Sequence, residues 1–162
     1  MHRLCLLLGS TLLLSFVAGC ASGPGFEETE TAVLEKSDRG ELLALDPVPK
    51  GDDASKTTTT GEDFHGYRVL GRAQLDKDER ERLIGAARGA VDDNEGRAMK
   101  CFNPRHGLRV VAQGDTVDLV ICFECLQMKV YQGAQERLLL IGQEQEREFD
   151  EAFSRHSLQK AP

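Results

Sequence analysis

The sequence predicts an α+β domain, a small antiparallel sheet of about four to five strands with two helices packed on it. Three observations carry this. A strand-like run over 67–75 leads directly into a stripe of apolar residues at helical spacing. Several runs of alternating apolar residues, separated by glycine-containing turn signals, then fill 108–141. A second helical stripe follows them, over 144–156.

In the first strand, Tyr67, Val69, Ala73 and Leu75 share one parity. Asp76 starts the helix, and Glu79 sits at capping-box spacing from it, where one side chain caps an amide and the other reaches back. Leu83, Ile84, Ala87 and Val91 form the buried stripe. Gly85 and Gly89 each weaken the helix by about 1 kcal/mol relative to alanine. Their spacing of four puts them on one face, which predicts close packing against the sheet.

The runs 108–113 and 116–123 flank Gly114-Asp115 and read as a hairpin. Glycine in the first central position predicts a type II′ turn. Cys122 then opposes Gly107, and Phe123 opposes His106. The apolar parity is odd up to Phe123 and even from Leu126, which requires a bulge or a turn at Glu124. Strands over 126–132 and 137–141 follow, and the last helix buries Phe149, Ala152 and Phe153.

Before the domain the chain has a different character. Residues 21–63 contain eleven acidic and four basic residues, the run Thr57 to Thr60, and scattered proline and glycine. Such a stretch reads as an extended, flexible acidic tether. Its one apolar patch, Leu42-Leu43-Ala44-Leu45, is the part able to dock as a strand or bind a partner. The net charge of −7 belongs to this tether. The domain, 64–162, has 15 basic and 16 acidic residues and offers no field for nucleic acid.

At the start, Arg3 precedes an apolar run from Leu4 to Val17 and the sequence Val17-Ala18-Gly19-Cys20. This is a secretory signal, too short to span a bilayer. Its small residues ending in cysteine resemble the lipobox of bacterial lipoproteins. The resemblance implies that 1–19 is removed and that Cys20 carries the lipid anchor. Each buried CH2 of such an anchor contributes roughly 0.8 kcal/mol. Ala21 stands where an aspartate marks inner-membrane retention in that family. The resemblance therefore implies the outer membrane of a Gram-negative envelope, facing the periplasm. Ordinary secretion, with cleavage near Ala18 to Gly23, is the alternative.

Cys5 leaves with the signal, so three cysteines remain in the domain: Cys101, Cys122 and Cys125. The hairpin brings the segment Cys101-Phe102-Asn103-Pro104-Arg105-His106-Gly107 close to Cys122-Phe123-Glu124-Cys125. Three chemistries fit. In an oxidising compartment Cys101 pairs with Cys122 or Cys125, a staple contributing about 3 kcal/mol, and one thiol is left over. Alternatively Cys101, His106, Cys122 and Cys125 supply a tetrahedral zinc set, although the glycine usual after a zinc-ribbon C-x-x-C is Leu126 here. Thirdly, Cys122 and Cys125 act as a redox pair, but no helix follows to lower a thiol pKa. An acid/base pair of His106 with Glu124, beside Arg105, is a further possibility.

The two segments together are similar to a motif pair in uncharacterised bacterial proteins, many of them secreted or lipid-anchored. That resemblance implies no activity. His65 reads as a loop residue at the start of the domain, and His156 as a favourable charge at a helix C-terminus. The chain contains no phosphate loop, no G-x-S-x-G and no H-E-x-x-H. The sequence thus predicts a membrane-anchored protein that binds or assembles with another envelope protein. A zinc or thiol-redox protein is the alternative.

Overall fold

A computed structural model describes residues 25–49 and 63–162 of the chain. The signal, Cys20 and the threonine run lie outside the described residues. The elements are α1 (Glu28–Glu35), β1 (Arg39–Pro49), β2 (Asp63–Phe64), β3 (Tyr67–Gln74), α2 (Lys77–Asp92), β4 (His106–Ala112), β5 (Asp115–Cys122), β6 (Gln127–Gln132), β7 (Gln135–Leu140) and α3 (Glu146–Arg155). The class is α+β, with seven antiparallel strands in the order β2-β3-β1-β4-β5-β6-β7. The sheet is larger than the four to five strands expected, and there are three helices instead of two.

The difference comes from the segment read as a tether. Residues 39–49 form a strand near the middle of the sheet, paired with β3 on one side and β4 on the other. Leu42, Ala44 and Leu45 are fully buried and Leu43 nearly so. The acidic residues around them do not repel one another into solvent, because basic side chains far along the chain meet them. Arg137 of β7 bonds Glu27 at 3.1 Å and the buried Glu30 at 2.7 Å. Arg88 of α2 meets Glu35 at 3.3 Å. Gln74 and Arg72 of β3 reach Glu41 at 3.0 and 3.4 Å. Arg80, itself buried, donates to the Ser37 hydroxyl and carbonyl and so ties α2 to the α1–β1 junction.

One face of the sheet carries the main core. Leu42, Leu108, Val110, Leu119, Ile121, Met128 and Val130 meet Val33 and Leu34 of α1, the stripe of α2, and Phe149, Ala152 and Phe153 of α3. The other face holds a smaller cluster, Leu43, Leu45, Phe64, Tyr67 and Val120. The sheet curls over this second face, so that β2 at one edge reaches across to β4, β5 and β6. Gly107 permits the curl: a Cβ there would lie 3.1 Å from the Phe64 ring and 3.2 Å from the Leu43 Cβ.

The turns refine the expected register. In the β4–β5 hairpin Ala112 pairs with Asp115, and the central residues Gln113 and Gly114 both have positive φ, 54° and 99°. This is the type I′ pattern and not type II′. His106 therefore faces Ile121, not Phe123, and Gly107 faces Val120, not Cys122. The faces are unaffected, because the correction moves each partner by two residues. The parity change at Glu124 is a hairpin turn: Cys122 pairs with Gln127, and Leu126 takes a φ of 57°.

The Asp76 carboxylate accepts from the Glu79 amide at 2.9 Å, as expected. The Glu79 side chain does not reach back. It holds α3 instead, accepting from Arg155 at 3.1 Å and bonding His156 at 2.9 Å. The paired glycines of α2 do not pack on the sheet. A Cβ on Gly85 would meet nothing within 4 Å, and one on Gly89 would meet only the Gln145 side chain.

Leu42→Ala should destabilise the protein by about 2–5 kcal/mol, as for a fully enclosed leucine. A urea titration checks this; a tether would show no change.

Candidate functional site

The residues singled out by the sequence separate into two places, because β4 and β5 alternate their side chains between the faces of the sheet. His106 lies on the helix-covered face. Its ring packs against Phe123, Phe149 and Phe153, at centroid distances of 5.4, 5.7 and 4.8 Å. Its Nε2 bonds Asp150 Oδ1 at 2.9 Å. Burial among these rings pushes the His106 pKa down, against the pull of Asp150. The imidazole is therefore neutral, and Nε2–H donates to the carboxylate. Burial pushes Asp150 up, but bonds from His106 and Lys160 outweigh it and hold the carboxyl below its usual range.

His106, Glu146 and Asp150 place one ligand atom each within 4.8 Å of one another. The positive charge they call for comes from the chain itself. The Lys160 ammonium bonds Glu146 at 2.6 Å and Asp150 at 2.9 Å.

The cysteines lie elsewhere. Cys122 and Cys125 are joined as a disulfide across the β5–β6 turn, and Cys101 is a free thiol. The expected pairing of Cys101 with one of them is therefore replaced by a local C-x-x-C bridge. Bridging three positions is possible because the turn brings the two Cα atoms to 5.2 Å. The four-residue zinc set is not assembled. Two of its sulfurs are bonded to each other, and His106 faces Asp150 on the opposite side of the sheet. Glu124 is also apart from His106. It is 62% exposed and pairs with Arg105 at 2.8 Å. Arg105 further donates to the carbonyls of Ala161 and Pro162, at 3.1 and 2.9 Å, and so fastens the segment after α3.

Sequence reasoning missed the most extended polar feature. One register row crosses six strands on the curled face: Gln74, Glu41, Arg109, Asp118, Tyr131 and Glu136. Arg109 holds Asp118 in a bidentate pair at 2.8 and 2.7 Å. His65, in the β2–β3 turn, bonds the same carboxylate at 2.8 Å and stacks on Tyr131 with centroids 3.7 Å apart. Burial pushes Asp118 up, yet Arg109 and His65 together bring it below the ordinary carboxylate range. Burial, then Glu136, pushes Tyr131 up. The middle of the row is buried, its flanking carboxylates are met by cations from outside it, Arg72 at Glu41 and Lys129 at Glu136, and its cross-strand bonds lock the curl. The expected register placed Asp118 against Val111, which hid its pairing with Arg109.

A groove lies at the other end of the sheet. Among the described residues, β2 pairs with β3 only at Tyr67 and Arg68. Beyond them, Leu70 and Gly71 of β3, Val48 of β1 and the segment Leu158–Pro162 line a cavity of about 740 Å³. Val48 is 51% exposed and Leu70 43%. Leu158 and Pro162 add apolar wall, and Arg68, Asp46 and Lys160 give a polar rim.

No protein family, curated protein or solved structure matches this chain. Among the described residues no helix is long and apolar enough to cross a membrane.

The His106 box makes stability depend on pH. The folded pKa lies below the ordinary 6.5, so between the two values the unfolded chain binds the extra proton. The contribution is complete above about 6.5 and is lost as pH falls toward the folded value. Urea midpoints measured from neutral to mildly acid pH should fall for the native protein. They should fall less steeply for His106→Phe; equal slopes would contradict the assignment.

Proposed function

We infer that this is a lipid-anchored envelope protein, held through Cys20 at the periplasmic side of the outer membrane. Its domain works by binding or assembling with another envelope component. The anchor reading is supported by the lipobox-like sequence Val17-Ala18-Gly19-Cys20.

One observation carries the binding reading. The groove at the β3 edge presents Val48 and Leu70, two of the four large apolar side chains exposed among the described residues, in a single cavity. The other two, Met99 and Leu138, are not among the residues that line it. A sheet edge beside apolar walls is the usual seat for an extended peptide, which adds backbone hydrogen bonds and places alternate side chains in pockets. The groove therefore suits an extended, apolar segment of a partner protein. The candidate acid/base residues support the same reading, since His106 is engaged by Asp150 and Glu124 by Arg105.

Cys20→Ala should abolish labelling by palmitate and move the protein from the membrane to the soluble fraction. A photo-crosslinking residue at Leu70 in growing cells should give one discrete adduct, and the same residue at the exposed Arg82 of α2 should give none. Labelling retained by Cys20→Ala would contradict the anchor. No adduct at either Leu70 or Val48 would contradict the groove.

A further inference from the structure

The β5–β6 turn holds an arrangement that the binding reading does not use. Cys122 and Cys125 are bonded to each other and buried, with 1% and 0% exposure. Cys101 is a half-buried free thiol, and its Sγ lies 2.8 Å from Cys125 Sγ. Bonds that do not involve the Cys101 sulfur hold its segment there. The Met99 amide donates to the Cys125 carbonyl at 3.1 Å, and Gln127 Nε2 donates to the Met99 carbonyl at 2.7 Å. The Asn103 amide donates to Cys125 Sγ at 3.3 Å. A further contact bears on the chemistry: the Cys125 amide donates to Cys122 Sγ at 3.2 Å. A backbone donor of this kind favours a sulfur in its charged form.

We propose that the three sulfurs form one thiol–disulfide exchange site, with Cys101 as the outlet through which the buried disulfide meets external thiols. Cys101 loses its proton to water, and its thiolate attacks Cys125 Sγ. The Cys101–Cys125 bond forms as the Cys122–Cys125 bond breaks. The electron pair goes to Cys122 Sγ, which leaves as a thiolate against the Cys125 amide and then takes up a proton. One disulfide is exchanged for another, so nothing is oxidised or reduced overall.

The exchange has two consequences. The linkage changes from a sequence separation of 3 to one of 24, which ties the segment before β4 to the β5–β6 turn. It also brings the disulfide out to a sulfur that solvent reaches. A small external thiolate can then attack Cys101 Sγ, forming a mixed disulfide there and releasing Cys125 as the thiolate. Direct attack on Cys125 is blocked by its burial. The site is separate from the β3-edge groove, so it stands or falls independently of the partner proposed there.

The test compares the full chain with Cys101→Ser, both oxidised, during reduction of the Cys122–Cys125 disulfide by glutathione at about pH 8, where a small free thiol is partly ionised. Samples are quenched with iodoacetamide and mapped by mass spectrometry, which resolves the three sulfurs from Cys5 and Cys20. The native chain should show Cys101–Cys125-linked peptide with alkylated Cys122 before glutathione is added. Cys101→Ser should lose the disulfide about tenfold more slowly. Matched thermal unfolding of the two chains confirms that the substitution leaves the fold intact. A reduction rate for Cys101→Ser within about threefold of the native rate overturns the proposal, whatever the mapping shows.

Discussion

Strand β1 lies between β3 and β4, and the rest of the molecule is registered on it. Without it the backbone ladder divides into a β2–β3 ribbon and a β4–β7 meander, which then meet through side chains such as His65 on Asp118 and Tyr131 and not through strand pairing. What allows β1 to sit there is charge compensation at long range. Glu30 and Glu41 are buried, and a buried carboxylate is tolerated only when it is paired and hydrogen-bonded. Arg137 serves the first, and Arg72 with Gln74 serves the second. The partners lie more than thirty residues away in each case. The acidic segment and the near-neutral domain are thus parts of one electrostatic unit.

The alternation of a strand decides which chemistry the molecule can assemble. His106 and Cys122 are drawn toward each other by the β4–β5 hairpin, yet they belong to opposite faces. The histidine is absorbed into an aromatic box under α3, where burial keeps it neutral. The cysteines gather at the turn beyond β5, where the segment from Met99 to Asn103 lies against them. A metal site needing all four residues is thereby broken into a structural hydrogen bond and a sulfur cluster. The curled face is closed in a third way, by the row from Gln74 to Glu136 and by His65 laid over it.

Much of the fold was legible wherever periodicity and local turn chemistry carry the signal. The N-cap at Asp76, the buried stripe of α2, the turn at Glu124 and the apolar face of α3 all follow from spacing within a few residues. What failed was non-local. Residues 27–46 look like a solvated tether because acidic residues outnumber basic ones along the chain, and their counterions come from β3, α2 and β7. The tight turn was misplaced by one position because Gln113 accepts a left-handed backbone that glycine usually signals. That small error put Val111 opposite Asp118 and concealed the Arg109–Asp118 pair. The cysteine cluster was found, but the pairing within it depends on a turn geometry that composition and spacing do not encode.

Native-state hydrogen exchange at the amides of Leu42, Leu43, Ala44 and Leu45 tests the central claim most directly. If β1 is the strand on which the sheet depends, these amides belong to the slowest class and open only with global unfolding, together with those of Leu119 and Val120 in β5. Exchange at the rate of an unstructured chain, while β5 remains protected, would contradict the account.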